Sequence, residues 1–135
     1  MATRKSTLAL AAVMATALLG GCATETETKT SEKPKWPDTE ASSVWSYIES
    51  HDYRKNWSFW PGKGELYQGQ EPHGALLTTY VNELAQDALT SGAAKMPQGD
   101  TIVKENYSPG RELAAITVMY KAEEGYNPDH NDWFW

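Results

Sequence analysis

Two segments, Thr101 to Tyr107 (TIVKENY) and Leu113 to Lys121 (LAAITVMYK), flank a five-residue break, SPGRE. Strand-forming residues on both sides of a Pro-Gly pair specify an antiparallel hairpin, and Pro109 and Gly110 suit the two central positions of a type II turn. This hairpin constrains the fold more than any other part of the chain. In its second strand Ala114, Ile116, Val118 and Tyr120 share one face, while Leu113, Ala115, Thr117 and Met119 share the other. Neither face is clearly wet, so a sheet built on this pair calls for covering elements.

The cover has to come from upstream. Asp38 or Thr39 is placed to cap a helix running to about His51, with Val44, Trp45 and Ile48 on one side. The stretch NWSFWPGKGELYQGQEPHG reads as irregular, punctuated by Pro61, Gly62, Gly64, Gly69, Pro72 and Gly74 and anchored by Trp57, Phe59 and Trp60. Ala75 to Val81 is rich in strand formers, with helix as the alternative. From about Asn82, residues Leu84, Ala85, Ala88 and Leu89 recur at helical spacing, and Ser91-Gly92 supplies a stop. The expected class is α+β, one domain with an antiparallel sheet and packed helices.

The chain closes on NPDHNDWFW, the last three residues being Trp133, Phe134 and Trp135. In an extended segment Trp133 and Trp135 point one way and Phe134 the other. Three aromatics of about 150 to 250 Å² each rival the largest apolar patch of a typical monomer, about 300 to 600 Å². A last strand of this kind expects cover on both faces. The expectation is therefore a domain that is incomplete at its C-terminal side.

The front of the chain speaks to location. Arg4 and Lys5 precede an uncharged run from Leu8 to Leu19, which ends in Leu19-Gly20-Gly21-Cys22. A dozen apolar residues are too few for a bilayer span of about 20, and the pattern is that of a secretory signal. Small residues ahead of Cys22, the single cysteine, resemble the lipobox of bacterial lipoproteins, in which the thiol receives a diacylglycerol. The other reading is an ordinary secretory peptide with an incidental cysteine. Ala23 after the cleavage site favours the outer membrane. Residues 1–21 are thus read as signal peptide and 22–35 as a tether, since ATETETKTSEKPK contains no residue able to build a core. As a coil it would hold the domain, residues 36–135, on the order of 20 Å from the lipid.

The chain holds 12 Lys plus Arg and 18 Asp plus Glu; losing Arg4 and Lys5 with the signal leaves 10 against 18, a net charge of −8. Nucleic acid is excluded as a partner by that balance, because phosphate binding needs a basic face. With Cys22 committed to lipid, no disulfide or cysteine-based zinc site remains. All six Trp lie between Trp36 and Trp135, so the core or a pocket must be unusually aromatic.

The segments EPHGALLTTYVNELA, MPQGDTIVKENYSPG, LAAITVMYK and GYNPDHNDWFW resemble the haem domain of the cytochrome P-460 family, relatives of the β-sheet cytochromes c′. The resemblance covers most of Gly64 to Trp135. It implies a periplasm-facing c-type haem protein that works on small nitrogen compounds, by hydroxylamine oxidation or nitric oxide binding, with an electron-transfer partner. In that family further sheet and a CxxCH motif follow the strand that Asp132 to Trp135 resembles. This sequence contains no such motif, which leaves enzymatic activity open and expects truncation ahead of it. A haem-free, periplasm-facing module that uses a Trp-rich pocket to bind a small apolar ligand or an envelope partner is the alternative.

The lysine that forms an extra covalent link to haem in the family resembles Lys104. Ile102, Lys104 and Asn106 share one strand face, and Val103, Glu105 and Tyr107 share the other; the plain alternative is a surface lysine on an edge strand. Trp133 and Trp135 are further candidate cofactor contacts. His73, held between Pro72 and Gly74, is the histidine best placed for haem or acid-base work, or else a turn residue bonding a carbonyl. Glu65, Glu71 and Glu105 are possible proton carriers. Asn127, Asp129, His130 and Asp132 do not match an EF-hand and suit self-bonded turns. Met96 and Met119 could offer sulfur to iron, although Met119 reads as core filling.

Overall fold

The computed structural model describes residues 36–70 and 72–135; the expected signal peptide, Cys22 and the expected tether, all within residues 1–35, and Glu71 lie outside the described residues. The described residues form one compact unit. In chain order the elements are α1 (Ala41–Ser50), α2 (Tyr53–Asn56), β1 (Ser58–Phe59), β2 (Tyr67–Gln68), β3 (Leu76–Val81), α3 (Glu83–Ser91), β4 (Thr101–Tyr107), β5 (Leu113–Lys121) and β6 (Trp133–Phe134). The class is α+β: an open antiparallel sheet runs β1-β3-β4-β5-β6, with β2 also paired to β3.

Local chemistry explains the clearest elements. Asn82 caps α3, its Oδ1 accepting from Ala85 N at 3.0 Å, and Gly92 ends the helix at a left-handed φ of 67°. The same Oδ1 accepts from Thr101 N at 3.2 Å, while Asn82 Nδ2 donates to Gly99 O at 2.8 Å. One buried amide therefore ties the start of α3 to the start of β4. Leu76 to Val81 is strand, as its β-branched and aromatic content favours.

Three expectations are corrected. Neither Asp38 nor Thr39 caps α1; Glu40 occupies that position and makes no side-chain cap bond. The hairpin turn is not type II, because Arg111 rather than Gly110 takes the positive φ, 66°. Arg111 N bonds Ser108 O and Ser108 N bonds Glu112 O, both at 2.9 Å. A left-handed residue after the turn brings the strands into register with their natural twist, which a type II turn would splay. The irregular stretch from Asn56 to Gly74 also contributes β1 and β2, which pair with the outer edge of β3.

The main core lies on one sheet face. Val44, Ile48 and Tyr53 from the helices pack on Tyr80, Val103, Tyr120 and Ala122, with Phe134 and Trp57 at the margin. These sheet residues stand at the end of the hairpin away from its turn. Beyond the helices the turn half of β5 stays open, and Leu113 is 46% exposed. The expectation that neither face of β5 would be wet fails for that reason.

Within this core Glu105 is fully buried and accepts three hydrogen bonds alongside an ion pair. Tyr53 Oη donates to Oε1 at 2.8 Å, Arg54 reaches the same oxygen through Nε and Nη2, each at 2.6 Å, and Tyr107 Oη donates to Oε2 at 2.5 Å. Burial, the hydrogen bond to Glu105 and its charge push the Tyr107 hydroxyl up to about 12. The carboxylate is thus committed to fastening α2 to β4, on the face opposite Lys104. That arrangement argues against the proton-carrier role considered for Glu105.

Candidate functional site

The second sheet face carries a cavity of about 640 Å³, within the range of ligand sites, about 300 to 1,000 Å³. Its floor follows from strand register. Thr79 lies opposite Lys104, and Lys104 opposite Thr117, so the three form one row across β3, β4 and β5. Ile102 and Met119 stand in the adjacent row. Because β4 lies between β3 and β5, Lys104 is on a central strand, which overturns the edge-strand alternative.

Three chain segments raise the walls. Leu89 near the end of α3 and Met96 beyond it stand on one side, beside the small cluster of Val81, Ala85 and Ile102. Trp60 and Tyr67 stand at the β1/β2 edge; Trp60 N bonds Thr79 O at 2.9 Å, and Tyr67 Oη and Thr79 Oγ1 are 2.7 Å apart. Trp133 and Trp135 close the β6 side, while Phe134 turns into the helical core as period-two alternation requires. Asn127 Nδ2 holds the Trp133 carbonyl at 3.4 Å, and the His130 ring meets Trp135 edge-on, with centroids 5.3 Å apart.

His73 reaches the cavity from a loop whose course depends on two glycines. A Cβ on Gly69 would sit 1.9 Å from Gly74 O, and one on Gly74 would sit 2.9 Å from both Tyr107 N and O. The chain therefore passes over itself and against the end of β4 where a side chain would block it. His73 N bonds Gln70 O at 2.9 Å, which completes the turn.

Lys104, His73, Trp133 and Trp135, widely spaced in sequence, line this one cavity. Met96 and Met119 line it too, and Met119 is 38% exposed, so its reading as core filling is corrected: its strand face is the open floor. Glu65 is exposed. Asp132 is buried, its Oδ1 accepting from Gly125 N and Asn127 N at 3.0 Å each, so that carboxylate serves its own loop. Sequence reasoning missed Trp60, Tyr67 and Lys63, which also line the cavity. The aromatic-Pro-Gly grouping Phe59-Trp60-Pro61-Gly62 was the available signal for the wall they form.

The site fits the body of a haem in four respects: size, a broad sheet floor, aromatic walls and one imidazole in the lining. The sequence holds no pair of cysteines for thioether attachment. Comparison of the chain with family models, with curated proteins and with solved structures gives no match.

Proposed function

We propose that this chain is an envelope lipoprotein, anchored through Cys22 in the outer membrane and facing the periplasm, whose Trp-lined cavity binds haem as the cytochrome P-460 resemblance implies. The observation that carries the proposal is the convergence of Lys104, His73, Trp133 and Trp135 on one cavity. Trp60, Trp133 and Trp135 would bury the flat apolar body and keep water from it. His73 would offer a ring nitrogen as ligand, or hold a proton for the substrate. Lys104, in the middle of the floor, would contact the bound group, and the resemblance implies that it would be the residue to link to it covalently. Haem, when bound, supplies ligation of a small nitrogen compound and acceptance of its electrons.

A second reading is a haem-free module that binds a small apolar ligand, favoured by the apolar, tryptophan-rich lining of the cavity. Titration of the purified chain with haemin separates the two. The haem reading expects a saturable, shifted Soret band at one equivalent that is lost in His73→Ala. Soret absorbance that resists acid-acetone extraction in the wild type, but not in Lys104→Met, would place the link on Lys104. Haemin that produces no saturable Soret change refutes the haem reading and leaves the apolar-ligand module.

A further inference from the structure

The cavity has a charge character opposite to that of the chain. Among the described residues its lining contains Lys63, His73 and Lys104 and no Asp or Glu, although the sequence without its signal carries 18 acidic and 10 basic residues. Random sampling of such a surface would line a cavity with carboxylates more often than with lysines. Neither Lys63 nor Lys104 makes an ion pair among the described residues, whereas Arg54, Lys55, Lys95 and Lys121 each have one. Lys63 lies instead over the Tyr67 ring, 5.1 Å from its centroid, at the wall. Lys104 stands half-buried on the floor between two threonines.

We infer that the cavity selects an organic anion: a flat apolar or aromatic body carrying a carboxylate or similar acid, whose charge is met by Lys104 below and Lys63 at the wall. The inference rests on the cavity being the binding site, as proposed above, but not on the ligand being haem. Apolar walls contribute affinity for any flat body, charged or neutral. Lysines that make no ion pair among the described residues, set beside those walls, add a preference that a neutral analogue cannot use, because a charge-assisted bond in a partly dry site is stronger than one in water. The threonines Thr79 and Thr117 flank Lys104 in its row, and among the described residues no acid pairs with its ammonium.

Two fluorescent probes with a common body test this: 1-anilinonaphthalene-8-sulfonate, which is anionic, and N-phenyl-1-naphthylamine, which is neutral. The folded chain is expected to bind the anion about ten-fold more tightly at low salt, with the preference shrinking as ionic strength rises. Lys104→Met should remove most of that preference and leave the neutral probe within about two-fold of wild type, while Lys104→Arg retains it. Unfolding curves of both variants establish that they fold. Equal affinity for the two probes, or equal loss of both in Lys104→Met, overturns the charge inference and leaves the apolar cavity standing. Failure of both probes to bind overturns the cavity as a binding site as well.

Discussion

Asp100 offers the most exacting test of the packing described above. It immediately precedes β4, its side chain is wholly removed from solvent, and among the described residues neither carboxylate oxygen has a hydrogen-bond partner. Burial pushes its carboxyl up to about 6 from 3.8, opposed in part by the positive charge of Lys121. The folded value lies above the unfolded one, so the native state keeps a proton that the unfolded chain releases between about pH 4 and 6. Stability from this group is therefore full below about pH 4 and lost as pH rises through about 6. At about 1.4 kcal/mol per pH unit, the ionised group costs about 3 kcal/mol at pH 7.5. Asp100→Asn keeps the shape and stays neutral, so it should be more stable than wild type by up to about 3 kcal/mol at pH 7.5, and by less than about 1 kcal/mol at pH 4. Urea unfolding followed by tryptophan fluorescence at a series of pH values measures the difference. A gap that does not change between pH 4 and 7.5 would refute the reasoning, since a simple packing effect has no pH dependence.

Removing the buried acceptor of the core should be costly: Glu105→Ala strands Tyr53, Tyr107 and Arg54, and a loss of about 3 kcal/mol or more is expected in the same urea assay. Asn82→Ala deletes the cap of α3 together with its link to Thr101 and Gly99, for a loss of about 2 kcal/mol. Gly74→Ala places a methyl against the backbone of Tyr107; the expected outcome is a displaced His73 loop, read as weakened probe binding by fluorescence titration together with a lowered melting temperature. Trp135→Ala should leave the urea midpoint almost unchanged, because that residue is 64% exposed, yet reduce the affinity of either naphthalene probe several-fold.

The legible parts of this protein are those whose signals are local. The β4/β5 hairpin, the cap and stop of α3, and the opposed directions of Trp133 and Phe134 all depend on period, branching and turn residues within a few positions. Hence the placement of Ile102 and Lys104 on one face could be read from alternation alone. The hairpin turn misled because Pro109-Gly110 is compatible with more than one turn, and strand twist chose the conformer that puts Arg111 in the left-handed region. Met119 misled because an apolar strand face looks the same whether it is packed or open.

By itself the sequence determined the types of α1, α3, β4, β5 and β6, the α+β class and the two faces of the hairpin strands, since backbone propensity and side-chain alternation are properties of short segments. Only the tertiary structure decided which face the helices cover, that Arg54 and Glu105 meet across 51 positions, and that a loop histidine, a strand lysine and the terminal tryptophans share a cavity. Those outcomes depend on distant segments burying surface together, and contacts between distant segments leave no periodic trace in any one of them.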